Sequence, residues 1–279
     1  MSRVQVVTDS TADIPADMAT ELGISIVPCY VMFGAEAYRD GLELTRDQFY
    51  EKLTTSRELP TTAAPPPAAY EKVYRQLAAE SKGIISIHLA ANLSNLHGAA
   101  SLGAQSVQEV PIHIIDSEQV TMGYGWMAVA AAEASRRGEK LERIVALVEN
   151  MKARARVLAI LNTLEFVHRG GRVSWAKAMI GTLMKIKPIV EVRQGKVRLL
   201  ERTRSWARAL DRLIELVHAL GPLERAIVLH ANAPAEAETL ADRLQDMAPY
   251  WRRLVSQAGI TIATHAGPGA VGIACVTAQ

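Results

Sequence analysis

The stretch from Arg3 through Val4, Val6, Val7, Thr8, Asp9, Ser10, Thr11 and Asp13 to Pro15 constrains the fold more than any other part of the chain. An apolar run of strand character passes directly into hydroxyl and carboxylate side chains, and then into a helix start. In an α/β protein such a junction falls at the carboxyl edge of a sheet, where ligands collect. Asp9, Ser10 and Thr11 suit the start of the following helix, and Pro15 suits its first turn. The residues admit two readings: a helix cap alone, or a cap that also faces a ligand. The pattern returns at Ile114-Ile115-Asp116-Ser117, and polar clusters close two further strands.

The rest of the N-terminal half repeats this alternation. Strand character is expected at 4–7, 25–31, 83–89 and 112–115, and helical character at 15–22, 45–53, 67–81, 93–107 and 119–137. Between them, Thr61-Thr62-Ala63-Ala64-Pro65-Pro66-Pro67 reads as a stiff loop entering a helix. Alternating elements of this kind predict a mainly parallel sheet with helices on its faces. Hydrophobic residues make up 49% of the 279, yet aromatics only 5%, so aliphatic side chains and alanine must fill the core.

After an amphipathic helix at 141–154 the pattern changes. A strand is expected at 157–161, a glycine-centred turn at 166–174 and helical character at 175–182. A hairpin follows, with strands at 186–192 and 196–200 around Gln194-Gly195. A helix at 206–220, a strand at 226–230, a helix at 234–247 and a strand at 261–264 complete a second unit. The fold class is therefore α/β with two α/β domains, residues 1–160 and 161–279. The first carries a mainly parallel sheet, and the second a smaller mixed sheet with helices.

Cys29 and Cys275 stand alone, match no metal spacing and suggest a reduced, cytoplasmic protein. No basic region followed by an apolar core opens the chain, so no signal peptide is expected. The most apolar stretch, 122–132, is too short to span a bilayer. Charge is unevenly divided. Residues 1–150 hold 12 Lys+Arg against 19 Asp+Glu, a net of −7; residues 151–279 hold 19 against 10, a net of +9. Between 152 and 212 there are 15 basic residues and 4 acidic ones. Such a face suits an acidic partner, a phosphorylated ligand or an anionic surface, or is simply a solvated helix surface. It lacks interleaved aromatics and any nucleic-acid module, so no nucleic-acid partner is expected.

Two further clusters carry site chemistry. His265-Ala266-Gly267-Pro268-Gly269 is expected to follow a strand, where glycines permit close backbone approach and His265 offers a hydrogen bond to an anion. It is either an anion-facing turn or a tight turn with a structural histidine. Asn92-Leu93-Ser94-Asn95 opens a helix, with Asn92 or Ser94 as the cap or as part of an anion site. No HExxH spacing, nucleophile elbow or phosphate loop occurs, so neither a metal nor a cofactor is expected.

Taken in order, these segments identify a family. Val7-Thr8-Asp9-Ser10-Thr11, Leu59-Pro60-Thr61-Thr62, Leu93-Ser94, Asp116-Ser117, Gly170-Gly171-Arg172, the run from Gly181 to Pro188, Arg202-Thr203-Arg204 and the His265 turn resemble the DegV family of bacterial fatty-acid-binding proteins over essentially the whole chain. The resemblance implies a long-chain fatty acid in an apolar tunnel between the two domains, with its carboxylate at their interface. A separate fatty acid kinase would phosphorylate the presented carboxylate for phospholipid metabolism, the binding protein itself performing no catalysis. It further implies that Thr62 bonds the carboxylate with His265 and Gly267 close by, and that backbone N–H groups around Asn92, Ser94 and Asn95 contribute. Arg172, Arg202 and Arg204 would face the kinase, and transient membrane contact is compatible with the carrier role.

The family's Ser-Ser-x-Leu-Ser-Gly-Thr run reads here as Ala90-Ala91-Asn92-Leu93-Ser94-Asn95-Leu96, so two early hydroxyls are absent. Loss of a hydroxyl that served a charged acceptor costs about 1–3 kcal/mol. Two alternatives therefore stand beside the carrier: a diverged binder of another amphipathic ligand, and a hydrolase using Ser10, Ser94 or Ser117 with His265.

Overall fold

A computed structural model describes residues 3–56, 58–177, 186–247 and 254–279. Strands β1 (Arg3–Asp9), β2 (Ile24–Val27), β6 (Ser81–His88) and β7 (Ile112–Asp116) form a parallel sheet in the order β2-β1-β6-β7. Helices α1 (Ala16–Leu22), α3 (Pro67–Ala78) and α4 (Leu96–Gln105) accompany it. The first junction folds as its residues require. Asp9 accepts the Thr11 N–H and caps a single 3₁₀ turn, Ser10–Ala12, and Pro15 then precedes α1.

The expected strand at 25–31 is two strands. Pro28 cannot donate to a ladder, and the chain leaves the parallel sheet there. Strand β3 (Tyr30–Phe33) instead pairs antiparallel with β4 (Glu36–Arg39) and with β5 (Thr61–Ala63). Thr61 and Thr62 thus lie on a short strand rather than in a loop. Helix α2 (Arg46–Thr55), opened by a Thr45–Gln48 capping box, connects β4 to β5.

The second sheet runs β10-β9-β8-β13-β11-β12. Its strands are β8 (Ala155–Ile160), β9 (Lys187–Arg193), β10 (Lys196–Thr203), β11 (Leu223–His230), β12 (Val255–Gln257) and β13 (Val271–Thr277). Only β11 and β12 are parallel, so the sheet is mixed as expected. It is not the smaller one: it has six strands against four in the parallel sheet among the described residues. The hairpin turn Gln194-Gly195 has φ of 52° and 69°, the geometry of a two-residue connection.

The change of sheet falls between α6 (Leu141–Arg154) and β8. Helix α5 (Met122–Arg136) lies between the two sheets and is buried on nearly every side. Its small residues make this possible. A Cβ on Gly125 would lie 2.6 Å from the Ala12 carbonyl, and one on Gly123 would lie 2.7 Å from Val157. Trp126 donates to the Ala274 carbonyl at 3.1 Å, and Ser135 to that of Val4 at 2.5 Å, so α5 is tied to both sheets. No described helix is long and apolar enough to cross a membrane.

The remaining helices are α7 (Glu165–Gly170), α8 (Ser174–Lys177), α9 (Trp206–His218), α10 (Pro234–Arg243) and α11 (Ile260–Ala266). The expected strand at 261–264 is therefore helical. The last part of the expected helix at 175–182, and positions 181–185 of the family run, lie outside the described residues. Along β8 the strand period separates two environments. Leu158 and Ile160 pack toward α9 and α10, while Val157, Ala159 and Leu161 face a cavity.

Candidate functional site

That cavity has a volume of about 320 Å³, within the range of small-molecule sites. Its wall is largely aliphatic and comes from both parts of the chain. Val157, Val190 and Val192 supply the side of the second sheet, and Leu89, Leu93 and Leu96 supply the opposite side. Arg172 is the one Lys or Arg lining it among the described residues. A second cavity, about 260 Å³, is lined by Glu58, Leu59, Arg169, Gly170 and others. Thr62, Arg172 and His265 belong to both linings, so these three stand where the cavities meet.

Thr62 comes from β5 and His265 from the last turn of α11, 203 positions apart, yet Thr62 Oγ1 lies 2.8 Å from His265 Nε2. His265 is held tightly on its other side, where a Cβ on Gly170 would lie 2.6 Å from Nδ1. Burial pushes the imidazole down to about 4, and the nearby Arg172 guanidinium adds to the shift. The ring is thus neutral at pH 7, with one nitrogen donating and one accepting. Arg172 donates through Nη1 to the Gly170 carbonyl at 2.6 Å, which leaves its other N–H groups for a ligand.

The other expected site residues are placed differently. Ser94 and Asn95 line the larger cavity; Asn92 lines neither. Asn92 is exposed and packs at the Gly195 turn. The N–H groups of Leu93 and Ser94 both donate to the Ala90 carbonyl, at 2.9 and 3.2 Å, so they are not free for an anion. Neither Asn92 nor Ser94 caps α4; Asn95 takes that position without a side-chain bond. Asp116 fastens this loop by accepting the Ala91 N–H at 3.1 Å. Gly267 also lines neither cavity. At φ of 78° it ends α11, and a Cβ there would lie 2.4 Å from the Phe166 ring. Its turn follows a helix, not a strand. Arg202 and Arg204 are exposed and form no ion pair among the described residues.

The serines weighed for hydrolysis have other partners. Ser10 Oγ donates to Asp40 and accepts the Cys29 N–H, and Ser117 bonds within its own turn. Ser94 lines the cavity, but His265 is engaged with Thr62. A triad order does occur elsewhere, unsuspected from sequence. Ser86 Oγ lies 2.7 Å from His88 Nε2, and His88 Nδ1 lies 2.8 Å from Asp9 Oδ2. All three are fully buried, Ser86 also bonds Tyr74, and none lines either cavity. This array joins β1 to β6. Cavity-facing residues such as Val190, Ile262 and Ala266 carried no signal beyond strand or helix periodicity. Among the described residues no cluster of metal-ligating side chains occurs.

Known proteins match the chain throughout. A family model described as "Uncharacterised protein, DegV family" matches residues 3–278. A DegV domain-containing protein of Streptomyces coelicolor is 36% identical over 278 residues, covering 98% of each chain. Among solved structures, the fatty-acid-binding DegV family protein from Thermus thermophilus matches with a TM-score of 0.91 and 30% identity, over 99% of this chain and 100% of that one. DegV from Bacillus subtilis, a fatty acid binding protein, matches with a TM-score of 0.88 and 34% identity over the same shares. The chain belongs to the DegV family.

Proposed function

We propose that this protein is a non-enzymatic carrier that holds a long-chain fatty acid in the larger cavity and presents its carboxylate at Thr62, His265 and Arg172. The observation that carries the reading is the meeting of an aliphatic cavity with a neutral histidine, a hydroxyl and, among the described residues, one lining cation. The fatty acids bound by its relatives from Thermus thermophilus and Bacillus subtilis support the same ligand class.

The physics of the two ends is complementary. Each buried methylene is worth about 0.8 kcal/mol, so the acyl chain supplies affinity and the cavity wall selects for it. The carboxylate needs donors, since an unpaired buried anion is costly. With its proton on Nε2, His265 donates to Thr62 and leaves the Thr62 hydroxyl proton for the ligand. Arg172 supplies the charge. Ser94 Oγ, on the cavity wall, stands in for the hydroxyls absent at Ala90 and Ala91.

Two domains, one built on the parallel sheet and one on the mixed sheet that begins at β8 rather than after residue 160, then form the two sides of the site, with the ligand between them. The exposed Arg202 and Arg204, together with Arg172, form the face toward a separate fatty acid kinase, and the basic excess of 152–212 suits an acidic partner there. A cytoplasmic carrier of this kind would serve bacterial phospholipid metabolism.

Calorimetric titration of delipidated protein with palmitic acid and with hexadecanol tests the head-group assignment. The acid should bind at least tenfold more tightly, consistent with charge-assisted hydrogen bonds to the carboxylate worth about 1.5–3 kcal/mol. Equal affinities would remove the carboxylate from this reading.

A further inference from the structure

Helix α11 supplies Thr261, Ile262, His265 and Ala266 to the cavity wall. Its N-terminal N–H groups have no local side-chain cap. They are met by two carboxyl groups from the far end of the chain. Asp13 Oδ1 accepts the Gly259 N–H at 2.8 Å, and Asp40 Oδ2 accepts the Thr261 N–H at 3.3 Å. Both acids are 6% exposed. A Cβ on Gly259 would lie 2.8 Å from Asp13 Oδ1 and 3.4 Å from Asp40 Oδ2, so the two groups face one point.

Backbone strain surrounds the same contact. Asp13 Oδ2 accepts the Thr121 hydroxyl, and these two residues have φ of 53° and 47°. For a β-branched residue such as Thr121 this conformation is costly, and it persists only where neighbours hold it. Thr121 precedes α5 and also lines the cavity. One carboxyl group thus ties the first junction, the start of α5 and the start of α11.

We propose that Asp13 and Asp40 are positioning residues for the ligand site: by fixing the N-terminus of α11 they hold Ile262, His265 and Ala266 against the acyl ligand and set how often that wall opens. This rests on the carrier reading above.

The groups facing the pair are Ser10, Cys29, Thr121 and Thr261, with Arg46 and Tyr50 from α2. Arg46 is itself anchored, its Nε donating to the Ala258 carbonyl at 3.2 Å. Burial pushes the Asp13 carboxyl up to about 7, against the bonds from Thr121 and Gly259 and with Asp40 adding to the rise. Burial raises Asp40 as well. Opening α11 to water returns Asp13 toward its ordinary 3.8. The closed wall therefore holds its proton more tightly than the open one, and opening becomes easier as pH rises from about 4 to about 7.

The test follows release of the fluorescent fatty acid cis-parinaric acid by stopped flow, from the wild type, Asp13→Asn and Gly259→Ala. Asparagine tolerates the positive φ of position 13, and the methyl of alanine at 259 would meet the carboxyl oxygens of Asp13 and Asp40 first. The ratio of wild-type to Asp13→Asn rates cancels the ligand's own ionisation. It should rise roughly twentyfold between about pH 5.5 and pH 7.5, then level off. Gly259→Ala should release ligand faster than the wild type throughout. A ratio constant across this range overturns the proposal.

Deuterium exchange of residues 259–266, compared between variants at each pH, reads wall opening without any ligand. If the protein takes up no fatty acid, the carrier reading fails while exchange still decides the role of the acids. The exchange ratio of wild type to Asp13→Asn should show the same rise, and a flat ratio contradicts it. Should Asp13→Asn not fold, Asp40→Asn and Gly259→Ala make the same comparisons.

Discussion

Thr62 Oγ1 and His265 Nε2 lie 2.8 Å apart, although one residue sits on a three-residue edge strand and the other at the end of a seven-residue helix. Neither element is stable alone. The pair exists because β5 is held by β3, and because α11 is held at its start by Asp13 and Asp40.

Thr62→Val keeps the shape of the side chain and removes its hydroxyl. We predict about tenfold weaker fatty-acid binding with little loss of thermal stability, since one hydrogen bond to a charged group is worth roughly 1.5 kcal/mol. Titration of delipidated variant and wild type, with a melting curve for each, checks both halves of the statement.

Gly170→Ala tests the back of the histidine. The added methyl would meet Nδ1 at 2.6 Å and must displace the ring from Thr62. The expected result is a loss of affinity as large as that of Thr62→Val, with no further loss when the two changes are combined. Additive losses would mean that the two residues act independently.

Charge reversal separates the arginines. If a fatty acid kinase docks on this face as proposed, Arg202→Glu should leave fatty-acid affinity unchanged and slow phosphorylation of the bound acid by that kinase, most clearly at low salt. Arg172→Glu should damage both, because that residue also lines the cavity. A kinase assay paired with direct binding distinguishes the two patterns, and wild-type phosphorylation of Arg202→Glu would move the docking surface elsewhere.

Stability should carry two opposed pH dependences. Asp13 is raised in the folded state, so its contribution is full below about 4 and is lost as pH rises to about 7. That window spans roughly 4 kcal/mol at ~1.4 kcal/mol per unit. His265 is depressed, so its contribution is present above 6.5 and is lost as pH falls toward about 4. Urea unfolding across this range should show Asp13→Asn gaining on the wild type as pH rises, and His265→Ala gaining on it as pH falls.

Much of the architecture was legible because it follows from local pattern. The β1 junction, the parallel alternation to Asp116 and the Gln194-Gly195 hairpin each rest on residues adjacent in sequence. The misreadings share a different cause. Thr261–Thr264 carries β-branched residues and reads as a strand, yet it is helical because carboxyl groups more than 200 positions away satisfy its first N–H groups. Asn92 reads as a cap, but the chain turns it toward Gly195, a neighbour that sequence spacing does not reveal. Thr62 and His265 were marked by family resemblance, whereas the aliphatic wall that surrounds them differs from ordinary core only in what it faces.

The most direct measurement is organic extraction of the purified protein followed by mass spectrometry of any bound lipid. A long-chain free fatty acid at close to one per chain is expected, greatly reduced in Thr62→Val. A wild-type protein that yields no lipid, or one whose ligand bears a head group other than a carboxylate, would contradict the carrier reading.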